Sequence, residues 1–452
     1  MNENIRVFID FGSTYTKAVA IDIAKAELIG SVRVPSTVET DITIGLSEAL
    51  DRLATGKVPG GNITACSSAA GGLKMVCIGF VPELTSEAAY RAALGAGARV
   101  TGLYSYELNR SEIAEIEASA PDIVLLTGGT DGGDRKTIVH NAQLLAQTGP
   151  GVKNVIVAGN KSAADEIKDI FRGSEKNIVF TSNVMPDIGV LDMEGGNREI
   201  RRLFMNRIVE AKGIGRARRL IGDIIMPTPS AVLEAARWLA EGAGGEAGFG
   251  ELIVIDVGGA TTDVHSIARG APSRDDTVIM GLPEPYEKRT VEGDLGLKYN
   301  IPALMELVKG RQLPVGLAEA VAAFQAGKLP ATDEEYTCHE FLTRCTLETA
   351  MNRHAGRLEE VYRVSGRMLV QRGKDLTRVG TVIGTGGPVI FARNPGVILS
   401  GALYDEQQPA VLKPKAPKFL LDRNYILFAI GLLGQKEPET AVRIARRYLS
   451  SL

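Results

Sequence analysis

The sequence has few cysteines, with four in 452 residues and no Cys-x-x-Cys pair among them. So sparse a set excludes the disulfide framework of a small secreted domain and indicates reduced thiols in a cytoplasmic protein. The segment from Met1 to Asp10 is too short and too polar for a signal sequence before the first strand begins. No apolar run approaches the ~18 residues of a membrane span, so we expect no membrane helix.

An excess of charge of either sign is also absent. The chain has 51 Lys and Arg residues against 54 Asp and Glu residues, which gives a formal net charge of −3. There is therefore no basic excess of the kind that binds nucleic-acid phosphates, and no polybasic run for an anionic membrane. We expect neither nucleic acid nor a membrane as a partner.

Glycine, in contrast, is abundant, with 51 residues, many of them in short clusters directly after apolar runs. This pattern is typical of strands that end in tight turns where the backbone comes close to another group. With 44% hydrophobic and 23% charged residues the composition is that of a globular protein, and the length suggests two or three domains at about 150 residues each. Apolar strand-like runs alternate with helical segments, which predicts α/β architecture with open sheets.

Two segments share one pattern. The apolar run Ile5–Ile9 leads into the polar stretch from Asp10 to Lys17, and Leu252–Ile255 leads into the stretch from Asp256 to Asp263. The two align without a gap, and each is followed by a second strand-like run, so each predicts a β-hairpin.

A further strand-like run ending in Gly-Gly follows each hairpin. Gly128 lies 118 residues after Asp10, at the end of the run Ile123–Leu126, and Gly386 lies 130 residues after Asp256. Two pairs in the same order at similar spacing predict a duplicated domain. The stretch Glu241–Gly250 is the expected linker between the halves.

Two helical segments are predicted in the second half. Glu335–Arg372 is expected to form one or two long helices with a break near Gly356, and Tyr425–Leu433 is expected to form a buried core helix.

The hairpin turns have the composition of an anion-binding site. A turn rich in Gly, Ser and Thr presents backbone N–H groups and hydroxyls that suit phosphate oxygens. The carboxylates of Asp10 and Asp256 repel phosphate but can bind Mg²⁺, usually through water. Two such hairpins facing each other would hold a magnesium–nucleotide triphosphate from both sides, with Asp256 or Asp263 orienting an attacking water or hydroxyl. The predicted phosphate-binding residues are Gly12, Ser13, Thr14, Thr16, Lys17, Gly258, Gly259, Thr261 and Thr262.

The alternative interpretation is that both segments are simply tight hairpins, which a single Asp-x-Gly turn would favour. The weaker candidates for the same site are Lys74, Asp131, Asp134, Glu292 and Asp294.

Taken in order, the two hairpins and the loop Ile383–Pro388 resemble the motifs of the superfamily of actin, the Hsp70 ATPase domain and sugar kinases. The resemblance implies two duplicated ribonuclease-H-like lobes with a nucleotide cleft between them. It also implies that Gly384, Gly386 and Gly387 lie against adenosine. On this basis we expect a first lobe at 1–245, a second at 246–420, and C-terminal helices at 421–452 that pack back on the lobes.

Three further stretches, Leu126–Gly133, Asn183–Pro186 and Arg289–Gly296, resemble the glutamate mutase (methylaspartate mutase) accessory protein family of the MutL type. That family is unrelated to the mismatch-repair protein that shares the name. The resemblance implies a cytoplasmic ATPase, with ATP and Mg²⁺ as cofactors, that serves adenosylcobalamin-dependent mutase subunits in the manner of a reactivating chaperone.

Two other activities use the same fold. One is a small-molecule kinase of the sugar-kinase type, with Asp256 as the base for a substrate hydroxyl. The other is an electron-transferring activator with an iron–sulfur cluster, which needs thiolates close together. Cys66 and Cys77 are separated and neither half has a compact cysteine pair, so this second alternative is disfavoured.

Overall fold

The computed structural model describes residues 4–12, 14–37, 40–53, 58–68, 73–210, 221, 223–326, 328–363 and 366–452. Its strands are β1 (Ile5–Phe11), β2 (Tyr15–Asp22), β3 (Glu27–Pro35), β4 (Ile63–Ser67), β5 (Lys74–Gly79), β6 (Arg99–Ser105), β7 (Ile123–Leu126), β8 (Asn154–Val157), β9 (Asn177–Phe180), β10 (Asp223–Pro227), β11 (Gly242–Ala243), β12 (Glu246–Ala247), β13 (Leu252–Val257), β14 (Thr262–Ile267), β15 (Thr277–Ile279), β16 (Glu287–Glu292), β17 (Arg357–Arg363), β18 (Gly366–Arg372), β19 (Thr381–Thr385), β20 (Lys418–Leu421) and β21 (Ser450–Ser451).

The helices are α1 (Ile42–Leu53), α2 (Glu87–Gly95), α3 (Arg110–Ser119), α4 (Lys136–Ala146), α5 (Ala164–Ile170), α6 (Glu194–Glu210), α7 (Thr228–Glu241), α8 (Ile301–Leu307), α9 (Leu317–Gln325), α10 (Asp333–His354), α11 (Gly387–Ile390), α12 (Pro395–Leu399), α13 (Leu427–Gly434) and α14 (Pro438–Tyr448). Among the described residues, no helix combines the length and the apolar character needed to cross a bilayer.

Two sheets repeat one strand order. In the first, the order is β10-β4-β1-β2-β3, with β1, β2 and β3 antiparallel and with β4 and β10 parallel to β1. In the second, β20-β19-β13-β14-β16 has the same order and the same directions, and β21 is added at the edge. The same five-stranded topology in both halves confirms two duplicated ribonuclease-H-like lobes.

A third sheet interrupts the first lobe between β4 and β10. Its five strands are all parallel, in the order β6-β5-β7-β8-β9. This is the flavodoxin-like order, in which the chain reverses its direction of progress between the first and third strands. We call this part of the chain, from β5 to β9, the inserted sheet.

The inserted sheet corrects one prediction. The strand Ile123–Leu126 is present, but it belongs to the inserted sheet and is not the counterpart of β19. The counterpart is β4, which lies parallel to β1 as β19 lies parallel to β13. A strand followed by Gly-Gly also occurs in parallel βα units such as those of the inserted sheet. The similar spacing from Asp10 to Gly128 and from Asp256 to Gly386 is therefore a coincidence. The domain boundaries at residues 245 and 420 stay predictions.

The side-chain alternation of β1 and β13 directs the two acidic residues toward one shared core. Val7 and Ile9 pack in a cluster within the first lobe, and Ile253 and Ile255 pack in one within the second. The intervening side chains join a third cluster that spans both lobes and includes Phe8, Val19, Ile21, Leu252, Val254, Ile267 and Ile383. Because strand side chains alternate between faces, Asp10 falls on the face of Phe8 and Asp256 on the face of Val254.

Helices α7 and α13 fill this shared cluster. All eight residues of α13 are buried, which confirms the predicted core helix within Tyr425–Leu433. The two helices cross at Gly431 of α13, where a Cβ would lie 1.8 Å from the carbonyl oxygen of Ala231 in α7. The absence of a side chain at Gly431 therefore allows the close crossing.

The prediction of mostly helical structure over Glu335–Arg372 is wrong after His354. Helix α10 ends there, and the hairpin β17–β18 follows and pairs with β15. The predicted break near Gly356 is present, since a Cβ at Gly356 would lie 2.6 Å from the carbonyl oxygen of Lys374. Tertiary contact at the base of the hairpin therefore overrides the helical propensity of the sequence. The expected linker Glu241–Gly250 contains the short ribbon β11–β12.

Candidate functional site

Asp10 lies at the end of β1 on the shared face and is almost completely buried, with 1% of its surface exposed. Its Oδ1 accepts a hydrogen bond from the hydroxyl of Thr228 at 2.6 Å, and its Oδ2 accepts one from Nζ of Lys17 at 3.2 Å. The thiol of Cys66 also lies 3.8 Å from Oδ1. Because Thr228 is the first residue of α7, this carboxylate joins the hairpin to the helix of the shared core.

Lys17 connects the two acidic residues electrostatically. Burial lowers the pKa of Lys17, but the charges of Asp10 and Asp256 outweigh burial and raise it above its usual value. The ammonium group also lies 4.7 Å from the ring centroid of Tyr425 in the second lobe, in a cation–π contact. One cation of the first lobe therefore interacts with groups from both lobes.

Asp256 has the most acid-rich surroundings. Burial raises its pKa from 3.8 to about 6, Lys17 opposes the shift, and Asp263, Asp10 and Asp422 add to it. Burial is the main cause of the raised pKa, and the three neighbouring carboxyl groups add to it against the opposing charge of Lys17. Asp10, Asp256 and Lys17 therefore influence one another electrostatically, and the roles of the two carboxyl groups stay predictions.

Two residues of this site were missed by the sequence reasoning. Asp422 is buried, accepts hydrogen bonds from the N–H groups of Ile426 at 2.8 Å and Leu427 at 3.2 Å, and so caps α13. Burial raises its pKa despite these bonds. Asp422 follows the apolar strand β20, the same signal that marked Asp10 and Asp256. Tyr425 adopts a left-handed backbone conformation with φ of 52°.

The two hairpin turns close in the same way. The N–H of Gly12 donates to the carbonyl of Tyr15 at 3.1 Å, and the N–H of Gly258 donates to the carbonyl of Thr261 at 2.9 Å. A Cβ at Gly12 would lie 2.5 Å from that carbonyl oxygen, so the first turn requires glycine. Thr14 is half-buried in this turn, and Ser13 lies outside the described residues.

The loop after β16 donates hydrogen bonds to the carbonyl groups of the second hairpin turn. Leu297 donates its N–H to the carbonyl of Gly258 at 3.2 Å, and Lys298 donates to the carbonyl of Gly259 at 2.9 Å. Within the described part of the chain, the N–H groups of Gly259 and Ala260 have no acceptor. They remain available to an anion, as an anion-binding turn requires.

The turns differ in charge at one equivalent position. Lys17 is paired with Asp10 across the first hairpin, and Asp263 is paired with Asp256 across the second. Asp263 is neutralised by Arg289, whose Nε and Nη2 lie 2.9 Å and 2.5 Å from its Oδ1. It also accepts a hydrogen bond from the hydroxyl of Thr261 at 3.1 Å.

The structure does not bring Thr16 and Thr262 to the acidic pair. Thr16 is opposite Phe11 and Thr262 is opposite Val257, so both side chains lie on the outer faces of their sheets, where they are buried. The hydroxyl of Thr262 donates to the carbonyl of Leu295 at 2.7 Å. Strand alternation therefore directs both hydroxyls away from the acidic pair, and a role of Thr16 and Thr262 in phosphate binding stays a prediction.

Two of the three glycines of the predicted adenosine loop line the acidic site. Gly386 has φ of 92°, and a Cβ there would lie 2.6 Å from Oδ1 of Asp256. A Cβ at Gly387 would lie 3.2 Å from the hydroxyl of Tyr425. At Gly384 a Cβ would meet Leu399 at 2.8 Å, so this glycine serves core packing rather than the cleft.

The weaker candidates have other partners. Glu292 and Asp294 both bind Arg353, at 2.6 Å and 2.8 Å. Lys74 begins β5, and Asp131 and Asp134 lie in the loop after β7, so all three belong to the inserted sheet. All four cysteines are free and buried, and the described residues contain no group of three or more His, Cys, Asp or Glu side chains placed to hold a metal ion. A magnesium ion at the acidic pair would therefore keep much of its water.

The chain was compared with known proteins. A family model described as MutL protein matches residues 6–449. Protein MutL of Clostridium tetanomorphum is 46% identical over 457 residues, which cover 98% of each chain. Among solved structures, the activator of the 2-hydroxyisocaproyl-CoA dehydratase from Clostridium difficile with bound ADPNP is 12% identical, with 98% of this chain and 96% of that chain covered and a TM-score of 0.30.

The xylulose kinase from Bifidobacterium adolescentis is 11% identical, with 98% of this chain and 93% of that chain covered and a TM-score of 0.30. Both structures are too distant to carry an argument, and the fold assignment rests on the repeated strand order. The family match covers nearly the whole chain, and the similarity to the clostridial relative is as extensive. The chain therefore belongs to the MutL protein family, as the sequence resemblance predicted.

Proposed function

We propose that this chain binds magnesium–ATP between its two hairpins, hydrolyses it slowly, and acts as the accessory protein of an adenosylcobalamin-dependent mutase. The observation that carries the nucleotide part is that Lys17 binds Asp10 directly and also has its pKa raised by the charge of Asp256, beside the cluster shared by both lobes. The resemblance to the glutamate mutase accessory family suggests glutamate mutase as the partner, and a cytoplasmic location follows from that role.

The residues present fit a magnesium–nucleotide complex. The carboxylates that raise the pKa of Asp256 favour a cation beside it, and Gly386 lets the backbone of the predicted adenosine loop approach Oδ1 of Asp256, since a Cβ there would lie 2.6 Å from that atom. Asp10 and Asp256 would hold the metal through water, and the metal would neutralise charge on the phosphates. The N–H groups of Gly259 and Ala260 and the ammonium of Lys17 would bind phosphate oxygens.

Asp256 is the better placed general base. A carboxyl with a pKa of about 6 is mostly ionised at neutral pH and is a stronger base than an ordinary aspartate. Asp10 already accepts a hydrogen bond at each carboxylate oxygen, from the Thr228 hydroxyl and from Lys17. We therefore assign water activation to Asp256 and metal positioning to both acids.

The competing activities have less support. An iron–sulfur activator needs accessible thiolates, whereas burial raises the pKa of Cys66 and of Cys77, and Asp10 raises that of Cys66 further. A sugar-type kinase would transfer phosphate to a hydroxyl faster than to water. ATP consumption that rises when a polyol or sugar acceptor is added would therefore indicate a kinase, and consumption that does not change would indicate an ATPase.

The first test is magnesium-dependent ATP hydrolysis by Asp10→Asn and Asp256→Asn. Asparagine keeps the shape of aspartate and one acceptor oxygen, so we expect the fold to be retained. Because it lacks the negative charge, we expect turnover to fall about 100-fold or more in each variant. Asp165→Asn is the matched control, because that side chain is 97% exposed and, among the described residues, pairs only with Lys168. Wild-type turnover in either acid variant would contradict the site assignment.

The second test adds the chain and ATP to inactivated glutamate mutase. We expect mutase activity to return with ATP and not without it, and not with Asp256→Asn. If the chain hydrolyses ATP but leaves a cognate mutase inactive, the proposed nucleotide site stands and the proposed accessory role is contradicted.

A further inference from the structure

Arg289 of β16 contacts both the acidic site and the inserted sheet. Its Nε and Nη2 bind Oδ1 of Asp263, while its Nη1 donates to the carbonyl oxygens of Leu94 and Ala98, each at 3.1 Å. The side chain is 3% exposed, so this bridge is shielded from water. One planar guanidinium thus divides its donors between two parts of the molecule, a geometry that lysine cannot reproduce.

The carbonyl of Leu94 lies in the last turn of α2, and the carbonyl of Ala98 lies in the short segment between α2 and β6 of the inserted sheet. Leu94 also accepts the N–H of Gly97 at 2.9 Å, and the N–H of Ala98 donates to Ala93 at 3.0 Å. The last carbonyls of a helix carry partial negative charge, so the guanidinium stabilises this end. The amides from Ala96 to Ala98 therefore report directly on the state of the bridge.

A second bridge joins the same helix to the second lobe. Arg91 of α2 binds Glu284 at 2.7 Å and donates to the carbonyl of Pro283 at 2.7 Å. The segment containing Glu284 leads into β16, and β16 continues into the loop that holds the second hairpin turn. Helix α2 is consequently attached to the structure that surrounds Gly258 and Gly259.

The other end of the Arg289 bridge lies beside the candidate base. Asp263 is directly opposite Asp256 in the β13–β14 pair, and its charge raises the pKa of Asp256. A divalent cation near Asp256 would attract the Asp263 carboxylate and weaken its hold on Arg289. The guanidinium would then redistribute its hydrogen bonds toward or away from α2.

We propose that Arg289 is a positioning residue that couples occupancy of the nucleotide site to helix α2, and through α2 to the inserted sheet. This inference rests on the proposed nucleotide binding. One side chain contacts both the site and a separate element, so coupling follows if nucleotide binding changes the balance between these two sets of contacts. The inserted sheet is then the part of the chain that responds to ATP, which gives an accessory protein a surface that changes with nucleotide state.

The test is hydrogen–deuterium exchange of the full chain with and without Mg²⁺ and the non-hydrolysable analogue ADPNP, with each variant saturated as judged by calorimetry. In the wild type we expect exchange of the amides at positions 96–98 to change about threefold or more on binding. In Arg289→Lys, which keeps the charge but cannot span both partners, we expect that nucleotide-dependent change to fall to less than about half.

Arg311→Lys is the matched control, because Arg311 binds Glu348 through two nitrogens and both residues lie in the second lobe. It should retain the wild-type response. Unchanged exchange at 96–98 in a wild type that binds Mg–ADPNP would overturn the coupling alone, and so would an undiminished response in Arg289→Lys. If calorimetry detects no binding of Mg–ADPNP to the wild type, the proposed function fails and the coupling fails with it. Because the wild-type measurement decides by itself, the coupling can be refuted even if Arg289→Lys folds poorly.

Discussion

At the scale of single residues, Asp256 has a carboxyl group whose ionisation opposes folding. Its pKa is about 6 in the folded protein against an ordinary value of 3.8. Between these values the folded state binds more protons than the unfolded state, so the free energy of unfolding falls as pH rises from about 4 to about 6. The cost of holding Asp256 ionised is fully present above pH 6 and would be offset by a bound cation.

We predict that Asp256→Asn stabilises the nucleotide-free protein at pH 8 by about 1–2 kcal/mol, because a neutral amide removes the partly buried charge. At pH 4 the gain should disappear, since Asp256 is then protonated. Thermal unfolding of both proteins at the two pH values measures the effect. Asp165→Asn should change stability by less than about 0.5 kcal/mol at either pH. A variant that is less stable than the wild type at pH 8 would show that ionised Asp256 contributes to stability.

At the scale of elements, the crossing of α7 and α13 depends on a missing side chain. A Cβ at Gly431 would lie 1.8 Å from the carbonyl oxygen of Ala231 and 2.7 Å from its carbonyl carbon, and both are backbone atoms that cannot rotate away. Since α13 is buried on all sides, the helix has no free direction in which to shift.

We predict that Gly431→Ala destabilises the protein by about 2–4 kcal/mol, despite the higher helix propensity of alanine. Gly396→Ala is the matched control, because Gly396 is also helical and a Cβ there meets nothing within 4 Å. That change should be neutral or stabilising by up to about 1 kcal/mol. Chemical denaturation of the two variants distinguishes them, and equal stabilities would mean that the helices separate at little cost.

At the scale of the whole molecule, the shared cluster joins the two lobes, so any movement of one lobe relative to the other would change its packing. Trp238, the one tryptophan of the sequence, lies on α7, the helix that fills this cluster. The indole packs against α13, where a Cβ at Gly434 would lie 2.4 Å from its Cδ1, and Arg237 lies 4.1 Å from the ring centroid. Helix α7 begins at Thr228, whose hydroxyl binds Asp10, and Trp238 lies near its other end. The same helix therefore connects the acidic site to the indole.

We predict that Mg–ADPNP changes the intrinsic fluorescence of the protein, in intensity or in emission maximum, because any lobe rotation alters the surroundings of Trp238. The signal should vanish in Trp238→Phe, and in Asp10→Asn it should require more nucleotide. A fluorescence titration checks this against calorimetry. Binding without a spectral change would mean that the lobes stay in place around the nucleotide.

Much of the site is predictable from the sequence because it is local. An apolar strand ending in Asp and followed by Gly, Ser and Thr produces a hairpin by backbone chemistry alone, and both hairpins form where expected, at β1–β2 and β13–β14. The duplication is visible because Asp10 and Asp256 align without a gap. Asp422 follows the same strand-end rule and was within reach of the same reasoning.

The tertiary structure decided the rest. Which strand lies beside β1 depends on packing between residues far apart in sequence, so the inserted sheet and the place of Ile123–Leu126 were not determined by local pattern. Strand alternation predicts that Thr16 and Thr262 lie on the opposite face of the sheet from their immediate neighbours. Which of the two faces packs between the lobes is decided only by the tertiary packing of the sheets. The bridge from Asp263 through Arg289 to Leu94 joins residues nearly 200 positions apart, and no local preference of the backbone encodes it.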